Sequence, residues 1–159
     1  MSPRASLVPP ATNRFLELLP RTVRQRLLAA CETVHLVESN VLYERGDRIH
    51  HVYFPIDSFP SMITPVDAHA GFEVDMAGSE GMVGISLALG VAIAPQRALV
   101  QGSGSAFRMS ATAFGREHAR SPSLRKLLDR YLHVVLSQMA QVSACTRSTC
   151  SNHVSRDGC

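Results

Sequence analysis

Tryptophan is absent, and Lys126 is the only lysine in a chain of 159 residues. Aromatics make up 6% and charged residues 18%, which leaves little for an aromatic stacking platform or a strongly charged surface. The net charge of +3 is too small to announce nucleic-acid binding by composition. The longest apolar run, Met82 to Ala94, is broken by Gly84, Ser86 and Gly90. It falls short of the roughly 20 residues that span a bilayer. The first residues, MSPRASLVPPATNR, carry no apolar signal-peptide core, so a cytoplasmic protein without membrane contact is expected. Cys31 stands alone, while Cys145, Cys150 and Cys159 crowd the end, which is no disulfide framework. No P-loop, dinucleotide fingerprint or Ser/His/Asp arrangement is present.

What is present is a 45% hydrophobic composition, enough for one packed domain. Residues 1–12, with Pro3, Pro9 and Pro10, read as a flexible leader. Phe15, Leu16, Leu18 and Leu19, then Val23, Leu27, Leu28 and Cys31, recur at helical spacing, with Asn13 and Thr22 as N-cap candidates. After Glu32 short alternating segments take over: His35–Glu38, Val41–Glu44, His51–Pro55, Ser61–Thr64 and Phe72–Met76, with a polar loop at Asp67–Gly71. Ala98–Gln101 and Ala106–Met109 read as a closing pair joined at Gly102–Gly104. Strands of this length and spacing predict a small antiparallel β-barrel or jelly roll, giving an α+β class with flanking helices. Helical spacing returns over Ala113–Ala119 and, from Ser121 (N-cap) and Pro122, in a long helix. There Leu128, Leu132, Val135, Met139 and Val142 recur at 4, 3, 4 and 3, a coiled-coil seam. A second row, Leu124, Leu127, Tyr131 and Val134, widens the apolar face. The expected dimer interface is therefore Leu128, Tyr131, Leu132, Val135, Met139 and Val142, within a helix over 121–147. Burial of that face against the barrel alone is the competing reading. Residues 148–159 lack apolar periodicity and read as a disordered tail.

The order of elements and several segments resemble the sensory domain of Crp/Fnr-family bacterial transcription regulators. Val41–Asp47 resembles an early strand and glycine turn of that family, and His51–Pro55 the next strand of one large subgroup. Phe72–Val74, Gly78–Gly84, Ala88–Gly90 and Arg97–Gln101 resemble the subgroup's most recognisable stretch, and Ala140–Arg147 the end of its long helix. The resemblance covers residues 13–147 and implies a cyclic-nucleotide-binding-like sensory domain over 13–120 followed by a dimerisation helix. In the family the chain continues into a winged helix-turn-helix, whereas 14 residues follow Cys145. A frameshifted or truncated regulator is thus expected, with no direct sequence-specific DNA binding by this chain. Partnership is expected as a homodimer, or as a heterodimer with a full-length relative.

The resemblance also implies a ligand cassette: a Gly-Glu pair, a short helix, and an Arg before a small residue. Gly84 matches the glycine, but Ile85 stands where the ribose-binding glutamate belongs, followed by Ser86. Arg97 before Ala98 matches the phosphate arginine, or Gln96 takes that place in a register shifted by one. An unpaired buried 2′-hydroxyl costs roughly 1–3 kcal/mol, so altered or lost cyclic-nucleotide specificity is expected. No cofactor is assigned, and the candidate effector is a cyclic nucleotide or another small molecule. The alternatives are a purely structural dimerisation domain and a cupin-like metal-binding enzyme. Against a metal, His50 and His51 are adjacent and point to opposite faces of a strand, although His69 and Glu73 share one. Cys145, Cys150, His153 and Cys159 lack the close cysteine pair of common zinc modules.

Overall fold

Helical and strand periodicities alternate along this chain, and each builds its own layer. The computed structural model describes the backbone of residues 12–66 and 69–154, and the side chains of residues 12–64 and 75–145. The expected leader falls almost wholly outside these residues. Two short helices, α1 (Arg14–Glu17) and α2 (Arg21–Ala29), precede seven strands. These are β1 (Glu32–Leu36), β2 (Val41–Tyr43), β3 (His51–Pro55), β4 (Phe59–Val66), β5 (His69–Met76), β6 (Arg97–Gly102) and β7 (Gly104–Ser110). A 3-10 helix, Ile85–Leu89, interrupts the connection from β5 to β6, and α3 (Ala111–Arg120) and α4 (Pro122–Val154) follow.

The strands form two antiparallel sheets, β1-β7-β3 and β2-β6-β4-β5. The three-stranded sheet is the middle layer. On β3, Val52 and Phe54 join a core shared with the helices, whereas Tyr53 turns to the space between the sheets. On β7, Met109 and Ala106 divide in the same way. This is strand alternation with both faces buried. The helix-side core joins Phe15, Leu16 and Leu27 to Phe114, Leu124 and Leu128. The inter-sheet core is built from smaller residues, among them Ala77, Val83, Ala98, Val100 and Ala106. Large side chains thus fill the gap under the helices, and small ones let the sheets approach.

Several local expectations change. β6 and β7 are consecutive but lie in different sheets, so they are no hairpin pair. Gly102-Ser103-Gly104 carries the chain from one sheet to the other. The strands around Asp67 also run further than expected, β4 to Val66 and β5 from His69. Asn13 does cap α1: its Oδ1 accepts from the Leu16 N–H at 3.1 Å. α2 begins at Arg21 with Pro20 as its N-cap residue, so Thr22 lies within the helix and does not cap it. The Ser121 hydroxyl, expected to cap α4, instead accepts a 2.8 Å hydrogen bond from Arg26 Nη2. The expected tail is helical as far as Val154. No proline or glycine stands between Ser121-Pro122 and Gly158 to stop propagation, and loss of apolar periodicity is not loss of helix. Residues 155–159 lie outside the described ones.

Candidate functional site

The segment from Gly78 to Arg97 hangs between the helices and the two sheets, tied at both ends. Asn13, fully buried, donates from Nδ2 to the Pro55 carbonyl at 2.7 Å and the Gly81 carbonyl at 3.0 Å. The Arg14 N–H donates to the Ser79 carbonyl at 2.6 Å. Val83 exchanges backbone hydrogen bonds with Tyr53 at 2.8 and 3.1 Å. Gly84 then turns the chain into the 3-10 helix with φ of 96°, and a Cβ there would meet Val52 Cγ1 at 3.0 Å. Left-handed backbone and close approach together require glycine.

Beneath this turn lies a cavity of about 60 Å³. Gly84, Ile85, Ser86 and Gln96, all expected at the site, wall it together with Tyr43, Asp75 and Tyr131. Ile85 also packs against the helix-side core, so the position of the expected carboxylate is an apolar wall. Gln96 Nε2 donates to Thr64 Oγ1 at 3.3 Å. Arg97 and Ala98 do not join them. On β6, Ala98 is fully buried between the sheets, and alternation turns Arg97 away. Arg97 Nε lies 3.2 Å from Glu44 Oε1. Of the two registers, it is Gln96 that reaches the cavity.

Tyr43 and Tyr131, neither expected here, close the cavity from opposite sides. Burial pushes the Tyr43 phenol well above its ordinary range, opposed in part by the adjoining Gly84 backbone. Tyr131 comes from α4. Its hydroxyl lies 3.2 Å from both the Met82 N–H and the Met82 carbonyl, accepting from the first and placed to donate to the second. Burial pushes its pKa up to about 12. A Cβ on Gly81 would stand 2.6 Å from that hydroxyl, so glycine admits the contact. The helical row Leu124, Leu127, Tyr131 and Val134 was the sequence signal for this contact.

The expected dimer face is largely spent within the chain. Leu128 and Val135 are buried against their own domain, and Tyr131 is committed to Met82. The first turns of α4 lie along the domain and use up that side of the helix. Leu132 and Met139 stay half-buried, Val142 is exposed, and Leu136, not expected at the interface, is 63% exposed. Among the described residues no three His, Cys, Asp or Glu side chains gather as metal ligands. The side chains of His69, Glu73, Cys150, His153 and Cys159 lie outside them. Among the described residues, no helix is long and apolar enough to cross a membrane.

Solved structures supply the comparison. The c-di-GMP-responsive global regulator CLP from Xanthomonas campestris matches with a TM-score of 0.68 at 15% identity, over 79% of this chain and 63% of that one. A putative cyclic nucleotide binding protein from Ruegeria pomeroyi matches with a TM-score of 0.63 at 17% identity, over 82% and 61%. The chain has the cyclic-nucleotide-binding fold. The sensor domain of the transcriptional regulator DNR from Pseudomonas aeruginosa matches with a TM-score of 0.55 at 16% identity, over 86% of this chain and 85% of that one. The chain therefore spans a little over three fifths of CLP and of the Ruegeria protein, and most of an isolated sensor domain. No family model matches the chain, and no curated protein matches it in sequence.

Proposed function

We propose that this chain is a non-enzymatic effector-sensing and dimerisation module of a Crp/Fnr-like transcription regulator that has lost conventional cyclic-nucleotide specificity. One observation carries the loss: the cavity under Gly84 holds about 60 Å³, and Ile85 fills the position of the expected ribose carboxylate, the carboxylate in its wall being Asp75 at the end of β5. Ordinary small-molecule sites hold about 300–1,000 Å³. Arg97, the candidate to neutralise a cyclic phosphate, does not line the cavity and lies toward Glu44. Thermal unfolding with millimolar cAMP, cGMP or cyclic di-GMP tests this. A ligand at about 100 times its Kd stabilises the folded state by about 2.7 kcal/mol, so no rise in Tm is expected and a rise of several degrees overturns the reading.

Dimerisation rests on the ridge formed by the exposed Leu136 and the half-buried Leu132 and Met139. Leu132→Asp with Leu136→Asp should convert a dimer to a monomer by light scattering without unfolding the domain. An unchanged mass removes the ridge from the interface. Val135→Asp is unsuitable, because Val135 is only 7% exposed within its own chain.

A further inference from the structure

A second, much larger cavity lies on the other side of Tyr131, between α1, the Gly78–Gly81 loop and α4, and it holds about 560 Å³. We propose that this cleft binds a free medium-chain amphipathic carboxylic acid, with the carboxylate on Lys126 and Arg130 and the chain on the apolar floor. The idea rests on the sensory reading only where it makes this acid the effector.

Three observations converge. Leu18, Met76 and Val134 line the cleft and are 72%, 50% and 49% exposed. Apolar surface gathered in one concavity, unlike apolar residues scattered singly, marks a binding site. Lys126 and Arg130 also line it, one helical turn apart on the same face of α4. Neither belongs to any ion pair among the described residues, where the paired arginines are Arg26, Arg97, Arg108 and Arg120. Two unpaired cations above an apolar floor fit an anionic head on an apolar body, and arginine can take a carboxylate bidentately.

The acidic residues of the cleft lie on the opposing wall. Asp75 ends β5, and Glu80 sits in the loop with its Oε1 3.8 Å from where a Cβ on Gly78 would stand. The basic groups thus come from α4 and the acidic ones from β5 and its following loop, so the proposed acid places its head at Lys126 and Arg130. At about 100° per residue, Lys126 and Arg130 lie far round α4 from Leu132, Leu136 and Met139. A dimer on that ridge would leave the cleft open. Tyr131 walls both cavities and is hydrogen-bonded to Met82, so a chain seated on its ring bears directly on the Gly81–Gly84 segment.

Isothermal titration of the full chain with decanoate, decan-1-ol and decylammonium, each below its aggregation concentration, tests the assignment. Saturable decanoate binding is expected, weakened about tenfold in Lys126→Gln/Arg130→Gln with decanol affinity unchanged. The substituted positions are exposed, and an unchanged Tm verifies folding of the variant. Absence of saturable binding, equal or tighter binding of decylammonium, or an unaltered decanoate affinity in the variant overturns the proposal. The effector role is read separately by amide exchange along α4. Decanoate binding with no change there refutes the acid as effector while the site stands, and absent binding removes the site while the sensory reading stands.

Discussion

The two halves of α4 carry similar apolar spacing and use it differently. In the proximal half, Leu124, Leu128 and Val135 are buried in the domain, and Tyr131 reaches the backbone of Met82. In the distal half, Leu136 is 63% exposed and every residue from Ala140 to Cys145 is exposed. The proximal half is a wall of the domain. The distal half, as far as Cys145, is an arm of mostly exposed helix. Apolar periodicity tells that a helix has a face to bury, not which surface will bury it.

The contrast breaks or holds on paired leucines. Leu128→Ala should lower unfolding free energy by about 3 kcal/mol in urea titration, because it leaves a cavity among Phe15, Phe54 and Leu124. Leu136→Ala should change it by no more than about 0.5 kcal/mol in the monomeric protein. Similar losses at both sites would show that the distal half belongs to the same packed unit.

A smaller effect concerns the hydroxyl joining the proximal half to the candidate site. Tyr131→Phe should cost about 1 kcal/mol, since it removes one hydrogen-bond partner of the Met82 backbone. The same residue gives a pH signature. Its phenol is held near 12 in the folded state, against an ordinary value of 10.0. The folded protein therefore binds more protons across that interval, and the contribution is fully present below pH 10, then lost as pH rises toward 12. With Tyr43 shifted the same way, phenolate absorbance at pH 11 should rise on denaturation, as the Tyr43 and Tyr131 phenols become free to ionise. Full ionisation in the native state would detach Tyr131 from its buried setting.

Much of this was legible in the sequence, and the gaps have physical causes. Strand alternation and glycine turns marked the jelly roll, and Asn13 was readable as a cap because its side chain meets a backbone N–H three residues on. Pairing between strands was not readable: β6 and β7 follow one another closely but split between sheets, a choice made by long-range packing. Gly84, Ile85, Ser86 and Gln96 meet at one cavity because they flank a single connection. Tyr43 and Tyr131 arrive from distant elements: helical spacing put Tyr131 on an apolar face, but not which surface that face would meet. Arg97 and Gln96 were left as alternative registers because a shift of one residue on a strand reverses its face, and spacing alone does not set which face meets the cavity.

The smallest effect tests how far cooperativity reaches along α4. The Ser143 hydroxyl donates to the Met139 carbonyl at 3.0 Å, a back-bond within the helix. Such bonds slightly disfavour the helix, and alanine has the higher helical propensity by a few tenths of a kcal/mol. Because the surrounding residues are exposed, this gain should appear as added ellipticity at 222 nm, with the unfolding free energy from urea titration unchanged within about 0.3 kcal/mol. Ser143→Gly should do the reverse, fraying the arm at the same midpoint. A change in unfolding free energy of about 1 kcal/mol in either variant would mean that the arm unfolds with the domain. Confined to ellipticity, the response would mark an arm that can be ordered independently, as a module passing a signal along its helix requires.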